Sequence, residues 1–168
     1  MASLWGFPNP VNEKAARVVA GGVVVLAALT LITGWHWLIV LLAIGFAARV
    51  AAGPRFSLLG RLATQVIAPR LGLPKFVPGP PKRFAQAIGL VLTTAAAVLS
   101  LGFGLTLAGT VLIAILLIFA ALESVVGFCA GCWLFALLMR TGIIPADTCE
   151  SCNDIWRRYG TGAVITQR

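Results

Sequence analysis

A chain of 168 residues with 60% hydrophobic and 11% charged residues is not composed like a soluble domain, in which about 25% of residues are charged. Long uncharged stretches make the lipid bilayer its natural solvent. The formal net charge of +8 does not point to nucleic acid, because the Lys and Arg fall between apolar runs, where the positive-inside rule puts them.

No cleavable signal peptide is expected, since the first apolar run is long and lacks a basic segment at Met1 or a small-residue cleavage site. Asn9-Pro10-Val11-Asn12-Glu13 reads as a helix start, with Asn9 as cap, Pro10 at the first helical position and Glu13 complementing the dipole. A first span over about 12–33 follows. Gly34-Trp35-His36-Trp37 is a tight turn with interfacial aromatics. His36 reads as a belt residue between two Trp rather than a ligand. A second span is expected over 35–52, with Arg49 snorkelling at its far end.

The 53–83 loop holds Arg55, Arg61, Arg70, Lys75, Lys82 and Arg83 and no acid. Within it, 56–68 carries Leu59, Leu62, Val66 and Ile67 at helical spacing, the pattern of an amphipathic helix lying on the membrane. Pro78-Gly79-Pro80-Pro81 reads as a stiff, extended loop. The basic loop would contact anionic lipid, and an anionic metabolite is the sharper alternative. Further spans are expected over 84–101 and 105–127, joined by Gly102-Phe103-Gly104.

The fold class is therefore an all-α membrane protein, one integral domain over 1–168. Four transmembrane helices form two hairpins, with an interfacial amphipathic helix and short C-terminal helices over 127–168. The turns near Trp35 and Phe103 contain none of the thirteen Lys and Arg. Both termini and the 53–83 loop are thus expected in the cytoplasm of a bacterial inner membrane. A fifth crossing over 132–139 would crowd two spans into 105–139.

The chemistry sits in two Cys-x-x-Cys pairs, Cys129/Cys132 and Cys149/Cys152. The first ends the fourth span, and 133–140 reads as a short apolar helix stopped by Thr141-Gly142 and Pro145. Asp147-Thr148-Cys149-Glu150 resembles a capping box, which would put Cys149 in the first turn of a helix and make it the exposed, exchanging thiol. The spacing C-x2-C-x16-C-x2-C also fits a four-cysteine zinc site. Permanent disulfides fit a cytosolic location poorly. Glu123, the acid within the membrane portion, could accept a proton from a cysteine or pair with Arg49 or another Arg. Ser57, Thr93 and Thr94 have no base partner in sequence, and no phosphate-binding loop is present.

Phe7-Pro8-Asn9-Pro10-Val11-Asn12-Glu13, Gly53-Pro54-Arg55-Phe56-Ser57, Pro78-Gly79-Pro80-Pro81-Lys82-Arg83-Phe84-Ala85-Gln86, and Ala121-Leu122-Glu123 before Phe128-Cys129-Ala130-Gly131-Cys132 together resemble a bacterial family of small integral membrane proteins, domain of unknown function 4395, common in actinobacteria. The resemblance implies association with thioredoxin-like and rhodanese-type proteins, and through them thiol or sulfur-transfer chemistry at Glu123, Cys129, Cys132, Cys149 and Cys152. Any such partner would be a separate protein.

Two functions remain open on the sequence. One is thiol redox or sulfur handling at the cytoplasmic face, with Cys149 attacking, Cys152 resolving, Cys129/Cys132 as the membrane-side pair and Glu123 as proton acceptor. It would pass electrons or a small sulfur species. The other is a non-enzymatic scaffold or complex subunit, with structural zinc on Cys129, Cys132, Cys149 and Cys152. A homo-oligomer or a larger membrane complex is compatible with either.

Overall fold

The computed structural model describes residues 9–53 and 57–149. Helix α1 (Glu13–Thr33) begins where the Asn12 side chain accepts the Lys14 N–H at 3.0 Å. It ends at Gly34, whose φ of 69° suits the left-handed cap and whose N–H returns to the Thr30 carbonyl. The expected cap at Asn9 is corrected. Val11–Asn12 (β1) pairs antiparallel with Phe76–Val77 (β2), so the backbone is extended there and the helix cannot begin before Glu13. Asn9, before a cis bond to Pro10, instead accepts the Gly79 N–H at 3.0 Å.

Helix α2 (Leu38–Ala52) has 15 residues, about 22 Å of helix. The 56–68 helix is present as α3 (Leu58–Leu62), a π-helical turn (Ala63–Ile67) and α4 (Ala68–Arg70). Its buried edge differs from the expected apolar stripe. Gly60, Ala63 and Ala68 face inward while Leu62 and Val66 are exposed. Small residues let this segment press on α1: Leu59 lies so close to Gly22 that a Cβ there would come within 2.7 Å of its methyl. Gly22 thus packs within the chain.

Gly79-Pro80-Pro81 is not a loop. It is the first turn of α5 (Gly79–Ala97), where a missing proline N–H leaves no hydrogen bond unmade. The helix continues through a π turn (Val98–Gly102), and α6 (Thr106–Ala121) continues likewise through Leu122–Val126. Helix α7 (Ala130–Arg140) and a 3-10 turn (Ala146–Cys149) complete the described chain.

Among the described residues, three helices are long and apolar enough to cross a membrane: Glu13–Thr33, Gly79–Gly102 and Thr106–Val126. α2 is apolar but shorter. α1 packs on α6, α2 on α5, and α5 on α6. Their core is Val23, Ala27, Ile39, Leu42, Phe46, Ala96, Ile113, Leu116 and Ala120. Val25, Ile32, Ile44, Val91, Val111 and Ile118 point outward. An apolar exterior over an apolar core is the arrangement that lipid permits and water does not.

Gly89 is where α5 meets α2, and a Cβ there would run into the Phe46 ring. Phe46 is buried and has little room to withdraw. Gly89→Ala is expected to destabilise the bundle by about 1–3 kcal/mol, read as a lower thermal unfolding midpoint by circular dichroism in detergent. An unchanged midpoint would contradict this packing.

Candidate functional site

One end of the bundle gathers the polar side chains. The π turn of α6 stops at Gly127, with φ 78° and its N–H on the Glu123 carbonyl. Arg17 of α1 covers this terminus, donating through Nε to the Ser124 carbonyl (3.1 Å) and through Nη2 to that of Val125 (2.5 Å). These contacts satisfy carbonyls that a helix end leaves without partners.

Cys129 is the N-cap of α7. Its extended backbone (φ −98°, ψ 98°) turns the sulfur back over the helix, and Sγ accepts the Cys132 N–H at 3.3 Å. Cys129 and Cys132 are joined as a disulfide, with Cα atoms 5.2 Å apart. Gly131 then allows α7 to touch α5: a Cβ would lie 2.6 Å from the Ala85 Cα. Phe135 is buried against Phe84, ring centroids 5.5 Å apart. The short helix is thus docked on the start of α5.

Glu123 pairs with Lys82 at 2.6 Å, the two side chains only 15% and 9% exposed. The expected partner, Arg49 or another Arg, is corrected. Because α5 begins at Gly79, Lys82 is carried into the bundle on a helix and reaches Glu123 first. Arg49 is buried beside it, donating through Nε to Gln86 Oε1 (2.7 Å) and through Nη1 to Ser57 Oγ (3.3 Å), with its guanidinium 4.4 Å from the Phe46 ring centroid.

Two cavities meet at Cys129. One, of about 180 Å³, is mainly apolar and ends at Glu123, Cys129 and Gly131. The other, of about 430 Å³, is lined by both Cys129 and Cys132, with Lys82, Glu13, Trp133 and Arg140. Cys129 thus borders both cavities, Glu123 the first and Lys82 the second.

The surroundings of the cysteines differ from those expected. Cys149, expected to be exposed, is buried at 5% exposure and lies at the end of a 3-10 turn (Ala146–Cys149); the helix expected to follow lies outside the described residues. Cys129, half-buried, has the helix start and the cavities. Cys152, Glu150 and the side chain of Asp147 lie outside the described residues, so the four-cysteine set is not seen whole. Among the described residues no cysteine is free, and no three His, Cys, Asp or Glu come together as metal ligands. Cys129 and Cys132 bonded to each other offer a metal no thiolate. His36 stands at the α1–α2 turn between Trp35 and Trp37, whose ring centroids are 6.3 Å apart.

Lys82 was expected in the 53–83 loop and Arg49 snorkelling at the end of a span, while Gln86 fell within the expected 84–101 span and was not singled out. The available signal was Gly-Pro-Pro followed by Lys82 and Gln86 four residues apart, a helix start with two polar groups on one face.

The fold and this end of the bundle define a helical protein with, among the described residues, three helices long and apolar enough to cross a membrane and a Cys-x-x-Cys disulfide at a helix start. The chain belongs to the family described as Domain of unknown function (DUF4395), which matches residues 11–140. That range takes in Lys82, Glu123, Cys129 and Cys132 and stops before Cys149. No curated protein and no solved structure matches the chain.

Removing one member of a buried ion pair leaves the other charged and unpaired. Lys82→Met is expected to cost about 3–5 kcal/mol, measured by denaturant or thermal unfolding in detergent. The double variant Lys82→Met/Glu123→Leu is expected to regain most of that loss, and equal destabilisation of single and double variants would contradict the pairing.

Proposed function

We propose that the chain is a four-span membrane protein that exchanges electrons between its Cys129–Cys132 disulfide and a dithiol partner at the cytoplasmic face. The spans are α1, α2 and the extended α5 and α6, in two hairpins. α2 is short for a hydrocarbon core of about 30 Å, but Trp35 and Trp37 anchor one end at the interface. The turns at 34–37 and 102–105 carry no Lys or Arg, which favours their facing outward. Lys14, Arg17, Lys75, Lys82, Arg83 and Arg140 then share the cytoplasmic end with the cysteines, where the basic 57–83 segment meets anionic lipid.

The observation that carries the reading is the position of Cys129 at the N-cap of α7. Once the disulfide is reduced, the positive helix end and the Cys132 N–H favour negative charge on the Cys129 sulfur. Cys132 is then the resolving thiol. A partner thiolate attacks one sulfur of the disulfide and forms a mixed disulfide; the partner's second thiolate attacks that bond and leaves oxidised. Two protons and two electrons pass from the partner dithiol to Cys129 and Cys132. In the reverse direction, when the reduced Cys129 attacks an oxidised partner, Glu123, on the wall of a cavity that Cys129 shares, accepts the thiol proton. A disulfide facing a reducing cytosol is suited to exchange rather than to permanent clamping. A partner with a thioredoxin-like or rhodanese-type thiol fits this chemistry.

Cys132→Ser is expected to accumulate a mixed disulfide with an oxidised thioredoxin-type Cys-x-x-Cys protein, seen as a shifted band on a non-reducing gel. Cys129→Ser is expected to give about tenfold less. Equal yields would contradict the assignment of Cys129 as nucleophile. For the topology, Trp35→Cys is expected to react with an impermeant maleimide from outside intact cells and Lys75→Cys is not; the reverse pattern would invert the orientation.

A further inference from the structure

Arg49 is 4% exposed, and its Nη2 has no hydrogen-bond partner among the described residues. Its other nitrogens meet only neutral acceptors, Gln86 Oε1 and Ser57 Oγ. The adjoining Lys82 is matched by Glu123. Glu123 attracts Arg49 as well, but it bonds directly to Lys82, so the two cations and one carboxylate leave a net buried positive charge. The C-terminal end of α2 offsets part of that charge, but a buried guanidinium with an unsatisfied N–H remains costly.

Arg49 lines a separate cavity of about 170 Å³, far more room than the roughly 10–15 Å³ a single water needs. Its walls include Lys82, Gln86, Asn12 and the first-turn residues Ala15 and Ala16 of α1. No acidic residue is among the described residues that line it. Gln86 has its Oε1 engaged by Arg49, so its amide N–H groups are the donors it has to offer. The start of a 21-residue helix adds positive dipole on one side.

We propose that this cavity is a binding site for a tetrahedral oxoanion group, held by Arg49 and Lys82 against the first turn of α1. A guanidinium presents N–H groups in a planar fork that matches oxoanion edges, which an ammonium does not. Two sources share this chemistry: a free inorganic anion of sulfate or phosphate size, and the phosphate of an anionic lipid at the cytoplasmic interface. The site is built from residues other than the cysteines, and it stands or falls independently of thiol exchange.

The test uses the full chain in nanodiscs of zwitterionic lipid, titrated calorimetrically with inorganic phosphate and with sulfate against a chloride control. A second arm compares thermal unfolding in zwitterionic nanodiscs and in nanodiscs containing phosphatidylglycerol, with no free oxoanion. A saturable signal near one anion per chain in the first arm identifies a free anion. A rise in unfolding midpoint confined to the second identifies the lipid phosphate. In either case Arg49→Gln is expected to weaken the response by roughly tenfold or more. Ala16→Leu, which fills the cavity and leaves Arg49 in place, is expected to abolish it, and carries the test if Arg49→Gln does not fold. No response in both arms, or an undiminished response in either variant, overturns the site.

Discussion

The ion pair between Lys82 and Glu123 joins the start of α5 to the end of α6 at 2.6 Å. The position of the cysteines follows from it. Glu123 opens the turn of α6 that ends at Gly127, so holding it sets where Phe128 and Cys129 leave the bundle. Three residues beyond Lys82, Ala85 is the surface on which Gly131 rests. The same contact thus places both the N-cap sulfur and the helix floor beneath it. A buried pair is weak evidence of net stability. Its consequence here is geometric: two helices meet in one register, and α7 docks in one place.

The rest of the molecule is arranged around keeping this polar end inside an apolar body. Thr93, fully buried mid-helix, donates to the Gly89 carbonyl rather than to a neighbouring helix, so the middle of the bundle has few polar demands. Arg17, Arg49, Lys82 and Glu123 all lie at the end where α1 and α5 begin and α2 and α6 finish. A helix start beside a helix finish brings positive and negative dipole ends together, which helps a cluster of charges to persist in little water. Two cavities bordering the disulfide, and a third bordering Arg49, occupy the same end.

Much of the helical plan was legible because lipid imposes a coarse rule. Charge-free runs between basic segments marked α1, α5 and α6 to within a few residues, and Gly34 and Gly142 ended helices as their sequence context implied. What escaped notice were features set by tertiary pairing. Asn9 and Asn12 are equally good caps by type, and only the β1–β2 pairing decides between them. Gly79-Pro80-Pro81 is compatible with a loop or a first helical turn, and its choice moved Lys82 from a surface tally into the bundle. The cysteines stood out at once, but Cys149, expected to be exposed, is buried. Asp147 and Glu150 spell a capping box, whereas cysteine is not a residue one reads as a cap, and Cys129 is one. The burial of Cys149 depends on where the chain returns after α7, which no local pattern encodes.

The central claim is that Cys129, held at the start of α7, is the sulfur that exchanges. After mild reduction of the membrane-embedded protein, the rate of modification of each cysteine by a small alkylating agent can be followed by mass spectrometry of its peptides. The account predicts that Cys129 is modified first, ahead of Cys132 and of the buried Cys149. Modification of Cys149 first, or of Cys129 and Cys132 at equal rates, would contradict it.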